Sequence, residues 1–136
     1  VGKQYDGAVL DAFTSWAARP GETGRVLGDT LARMADKSKA KDFLELAARE
    51  EYGASRAFIV DALWRFKATT DVEPTLRKLI CDPDMSFYAM TALQRTIGAG
   101  AMAEVLRDLI ATSKDDNVLS QARRQLKRAA KKTSST

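Results

Sequence analysis

Histidine is absent from this chain of 136 residues. That excludes a Ser–His or Cys–His nucleophile and any histidine-ligated metal site. There is one cysteine, Cys81, so no internal disulfide can form and a reducing compartment is expected. A single thiol cannot hold zinc. Placed after Leu79-Ile80 at a helix end, Cys81 reads as a small buried residue rather than a reactive one. No apolar run reaches about 18 residues and no signal-peptide pattern opens the chain, so a cytoplasmic protein with no membrane partner is the expectation. The start at Val1 rather than Met admits a trimmed chain or a piece of a longer one. A glycine-rich phosphate loop is also missing: Gly98-Ala99-Gly100 lacks the lysine and the preceding strand such a loop needs. Only three prolines and eight glycines interrupt a sequence rich in Ala, Leu, Arg, Lys and Glu, which favours helix. The net charge of +4 and a pI near 9.3 permit an acidic partner without requiring one.

What is present is a repeat with a period of about 30 residues. Ala62-Leu63 recurs as Ala92-Leu93, Arg65 as Arg95, Leu76 as Leu106 and Ile80 as Ile110. A period of this length predicts stacked helical hairpins, each too small to bury its apolar face alone. Helical spacing of apolar residues predicts a first helix over 4–18, carrying Tyr5, Val9, Leu10, Phe13 and Trp16, stopped by Arg19-Pro20-Gly21. Val26, Leu27, Leu31 and Met34 mark a second helix, broken at Lys37-Ser38-Lys39. Phe43 to Ala48 mark a third, closing near Gly53 as a C-cap. Phe58, Ile59, Ala62, Leu63 and Phe66 face one way on a fourth. Asp71 is the expected N-cap of the next, with Pro74 in its first turn. Asp82-Pro83-Asp84 separates it from a helix whose inner face is Met85, Ala89, Ala92, Leu93 and Ile97, ended by Gly98 and Gly100. Met102 to Ile110, then Val118 to Leu126, mark the last two, joined at residues 113–117. The expectation is about eight helices with short connections, hence antiparallel neighbours and no strand.

The stretch DPDMSFYAMTALQRTIG, residues 82–98, resembles the repeat core of the HEAT-like family, also described as phycobilisome-lyase-type HEAT repeats. Asp82 and Asp84 match the family's Asp-rich turn, Met85 its apolar position, and Ala89, Ala92, Leu93 and Gly98 its helix. The family's usual arginine is Ser86 here, although Arg56 holds the equivalent place one repeat earlier. In the last unit Val118, Ala122 and Leu126 fit while Leu119 replaces the arginine. The resemblance covers residues 55–130 well and 1–54 poorly. It implies an all-α, right-handed α-α superhelix: a short HEAT-like solenoid of about four antiparallel helix pairs. Residues 1–132 would form its single domain, with 133–136 a disordered tail. Family members are commonly scaffolds or adaptors, and some are fused to lyases or DNA-repair activities.

The strongest charge feature is the last helix, with Arg123, Arg124, Lys127, Arg128, Lys131 and Lys132 and no acid among them. Such a run can grip phosphates or an acidic protein surface. It is equally a solvated face whose cations complement a helix C-terminus, and no aromatic interleaves it. Arg65, Arg95 and Arg128 each follow a repeated leucine by two positions, so stacking would align three guanidinium groups on one edge, suited to carboxylates or phosphates. Alternatively Arg65 pairs with Asp61 one turn away. Glu45 with Arg49 and Glu73 with Arg77 are further expected surface pairs. Asp82 and Asp84 read as turn caps, Glu50-Glu51 as a solvated pair. Trp64 and Trp16 are the most anchor-like residues, with core packing favoured for Trp64. Phe87 and Tyr88 sit beside the inward stripe, where an exposed ring would be a binding hot spot.

Three functions follow as expectations. A non-enzymatic scaffold or adaptor holding a protein partner on a concave face, with no cofactor, leads. Nucleic-acid binding through the basic last helix and the arginine row is the alternative. A third, implied by resemblance to the HEAT-like DNA glycosylases, would use an acid such as Asp61 beside Trp64.

Overall fold

The helical spacing forms helices throughout the computed structural model, which describes residues 7–19, 21–34 and 37–134, with no strand among them. In chain order they are α1 (Gly7–Trp16), α2 (Thr23–Met34), α3 (Ala40–Ala48), α4 (Ala57–Ala62), α5 (Val72–Leu79), α6 (Ser86–Ile97), α7 (Ala99–Thr112) and α8 (Asp116–Ser134). Short 3₁₀ segments precede α3 and α4, and a third, Leu63–Phe66, continues α4. Residues 4–6 of the expected first helix, Tyr5 included, lie outside the described residues. So do 135–136 of the expected tail, while α8 extends through Thr133 and Ser134.

Helices α2, α4, α6 and α8 follow one another, each packed on the next. Around them α1 packs on α2, α3 on α4 and α5, α5 on α6, and α7 on α6 and α8. Most of the repeated apolar positions are buried by this packing, Ile110 only in part. Leu63 and Leu93 are completely enclosed, as are Leu76 and Leu106, and Ala62 and Ala92 allow the helices to approach. Each fully buried leucine stabilises the fold by about 1.5–3 kcal/mol relative to exposure. Ala32 and Leu46, which fit the same frame in the divergent half, are buried as well. Edge-to-face ring pairs, Phe13 with Tyr52 and Phe43 with Phe66, fill the N-terminal half.

Several local expectations are corrected. The third helix ends at Ala48, where Arg49 turns extended, and Gly53 instead sits within the 3₁₀ segment Glu50–Arg56 at φ 48°. Asp71 precedes α5, but its side chain caps nothing; its carbonyl accepts the Thr75 N–H. Gly98 alone separates α6 from α7, at φ 90° and ψ 161°, a backbone region essentially reserved for glycine. Gly100 belongs to α7 rather than to the end of α6. Asp115 is a true cap: its Oδ1 accepts the Val118 N–H at 2.9 Å and starts α8. Val26, counted as apolar face, is 60% exposed.

Candidate functional site

Arg25 occupies the first turn of α2 and reaches Phe58 on α4 and Tyr88 on α6. Its guanidinium lies 5.2 Å from the Phe58 ring centre on α4 and 5.8 Å from that of Tyr88 on α6. It also donates a 2.6 Å hydrogen bond to the Tyr88 hydroxyl. Phe87 stands edge-to-face with Tyr88, 5.3 Å between centres, and is 40% exposed. Arg25 makes no ion pair among the described residues, although Glu22 and Glu51 line the hollow beside it. A half-buried cation is thus held beside two rings, bonded to the Tyr88 hydroxyl and making no other hydrogen bond among the described residues. Tyr88 was expected as a contact; Arg25 and Phe58 were not. The signal that could find them is slight: an arginine and an aromatic at a spacing close to the repeat.

The arginine row turns out differently from the expectation. Arg65 does not pair with Asp61; its Nη1 donates to the Ala32 carbonyl of α2 at 3.0 Å. Arg95 lies over the Trp64 ring, 5.2 Å from its centre. Each therefore reaches back over the preceding even-numbered helix or its continuation. Arg128 is exposed, as are Arg123, Arg124 and Lys127, and none of the four makes an ion pair among the described residues. The half-buried Trp64 is thus both packed on the core and covered by Arg95. Asp61 is half-exposed and shares no contact with that ring among the described interactions. Trp16 is 43% exposed, with the Arg19 guanidinium 4.6 Å from its ring centre.

No family model, curated protein or solved structure matches the chain. Its function is therefore read from its own residues. Of the expected surface pairs, Glu73–Arg77 forms at 3.0 Å, whereas Arg49 turns to Glu51 at 3.9 Å instead of Glu45, because α3 has already ended. Cys81 is exposed rather than buried: Ile80 takes the inward position, leaving the thiol in the turn before α6.

Arg56 is the charged residue that sequence reasoning undervalued. It is 1% exposed and spends its donors on the Gly53 and Ala47 carbonyls and on Asp82 Oδ2, at 3.0, 2.9 and 2.8 Å. The other Asp82 oxygen accepts the Asp84 N–H at 2.9 Å, the turn cap expected for it. Ser86, in the same repeat position, is fully buried, and its hydroxyl has no hydrogen-bond partner among the described residues. A hollow of about 670 Å³ lies beside Arg56, bordered also by Lys78, Cys81 and Asp84. Three of the five Arg56 N–H groups are taken by the bonds to Gly53, Ala47 and Asp82.

Charge divides between the helices. The even-numbered ones, with the 3₁₀ continuation of α4, carry Arg25, Arg33, Arg65, Arg95 and six cations on α8 against Asp29, Asp61 and Asp116. The odd-numbered ones carry Lys41, Arg77, Lys78 and Arg107 against six acids. Net positive charge therefore gathers on the series of helices that also displays Phe58, Phe87 and Tyr88.

Proposed function

We propose that this protein is a non-enzymatic adaptor, a short HEAT-like α-α solenoid that holds a protein partner on the face formed by α2, α4, α6 and α8. The observation carrying this reading is the Arg25–Tyr88 hydrogen bond, which spans α4. Helices packed side by side are about 8–10 Å apart, so a flat row would hold α2 and α6 roughly twice that distance apart. An arginine and a tyrosine meeting across such a gap favour a row that bends, with its concave side at these residues. Concave surfaces of stacked repeats suit partner proteins, and here that side displays aromatic rings and arginine. A second reading, nucleic-acid binding, is favoured by Arg123, Arg124, Lys127 and Arg128 on α8, which are exposed and make no ion pair among the described residues.

Photo-cross-linking separates the two. A benzophenone amino acid replaces Phe87 in one variant and the exposed Ala101 of α7 in another, and each is irradiated in native-cell extract. The adaptor reading expects a protease-sensitive, nuclease-resistant adduct from position 87 and none from position 101. A nuclease-sensitive adduct would instead support the second reading. Equal adducts from both positions, or none, would count against the adaptor.

A further inference from the structure

We propose that Arg25, held over Phe58 and Tyr88, is a carboxylate receptor, and that the partner segment it takes is acidic with an apolar residue beside the acid. This rests on the adaptor reading and adds the chemistry of the partner. Three observations carry it. First, Arg25 is oriented before any ligand arrives: the Phe58 ring centre lies 5.2 Å from its guanidinium and the Tyr88 hydroxyl takes one donor. Ordering a guanidinium in advance removes much of the entropy cost of a bidentate carboxylate contact. Second, it is a half-buried cation with no ion-pair partner among the described residues, so an incoming carboxylate would replace water rather than compete with an internal acid. Third, the exposed Phe87 ring beside Tyr88 offers an apolar seat next to the charge.

The surroundings favour a peptide over a nucleic acid. Glu22 and Glu51 border the hollow next to Arg25, and Asp29 and Asp61 interrupt the cations on α2 and α4. A sugar-phosphate chain carries a charge at every nucleotide and would meet these acids as it crossed the face. A peptide can set one carboxylate on Arg25 and uncharged residues elsewhere. The cations of α8 lie on a different helix from this receptor and are not needed for it.

The test is fluorescence anisotropy with a labelled, C-terminally amidated peptide carrying one acid beside an apolar residue, Gly-Ser-Gly-Ser-Glu-Phe-Ser-Gly-Ser-Gly, its Gln analogue, and a labelled oligothymidine. The expected result is binding of the acidic peptide and not of the amide analogue. Arg25→Lys, which keeps the charge but loses the planar fork, should weaken binding about tenfold or more. Tyr88→Phe should weaken it several-fold by releasing the guanidinium, and the double variant Arg124→Gln/Arg128→Gln should weaken it far less than Arg25→Lys. Thermal melts of each variant confirm that the fold persists. The proposal is overturned if the acidic peptide does not bind, if the amide analogue binds equally, if Arg25→Lys binds as well as the native protein, or if oligothymidine displaces the peptide and the α8 variant abolishes both. Loss of peptide binding with a persisting protein cross-link at position 87 would remove the receptor and leave the adaptor. Loss of the cross-link as well would remove both.

Discussion

Arg56 is enclosed with its charge, and its guanidinium joins three stretches of chain: the end of α3, the turn at Gly53 and the turn before α6. Removing one member of a fully buried pair costs about 3–5 kcal/mol, and the 25% exposure of the Asp82 side chain sets the cost here near the lower end. Arg56→Met should therefore lower unfolding stability by about that amount in a urea titration. A change within about 0.5 kcal/mol would mean that water replaces the guanidinium without penalty. The sequence marks Arg56 only as the residue that occupies a repeat position. Its partners Ala47 and Asp82 lie 9 and 26 residues away and emerge only when the helices are packed. Arg25 is harder still to anticipate, since Tyr88 is 63 residues on, while Tyr88 itself is marked by its place beside an inward stripe.

Among the elements, α2 shows how a helix can be fitted to its neighbours by what it omits. A Cβ on Gly28 would sit 2.9 Å from the Ser55 carbonyl oxygen and 3.2 Å from the Phe13 ring. One on Gly24 would sit 2.8 Å from the Ala17 backbone. Glycine within a helix usually costs about 1 kcal/mol against alanine, so Gly→Ala normally stabilises. At Gly28 the sign should reverse, because a backbone carbonyl cannot swing aside as a flexible side-chain tip can. Gly28→Ala should destabilise by about 1–3 kcal/mol. Gly100→Ala in α7, where nothing lies within 4 Å, should be neutral or stabilising by up to about 1 kcal/mol. Parallel urea titrations test the contrast, and a stabilised Gly28→Ala would refute it. The helices themselves were largely legible, since Leu63, Leu93, Leu76 and Leu106 repeat because they are buried alike. The function of Gly24 and Gly28 was not, because a glycine signals close approach only once the neighbour is known.

Over the whole molecule, cations are concentrated on one series of helices, most densely on α8. There Arg123 with Lys127 and Arg124 with Arg128 stand one turn apart with like charge, which opposes the helix. Added salt screens that repulsion, and few ion pairs among the described residues lose by it. The melting temperature should rise between about 10 mM and about 500 mM NaCl. A fall would show that attractive pairs dominate. The basic run on α8 was plain in the sequence, but the division between even- and odd-numbered helices required the packing order, since it emerges only when each series is summed over the fold.

The junction at Gly98 limits how this chain can change length. With one residue between α6 and α7, an insertion upstream cannot be absorbed by a loop; each added residue turns the following helix by about 100° about its axis. Such a turn would carry Met102 and Leu106 away from the core they now fill. The connection between α7 and α8, residues 113–115, has three residues outside helix, and there the repeat period lengthens from 30 to 33 as Leu93 is followed by Leu126. Insertions and deletions in related chains should therefore collect at that second joint, leaving α6 and α7 in fixed phase.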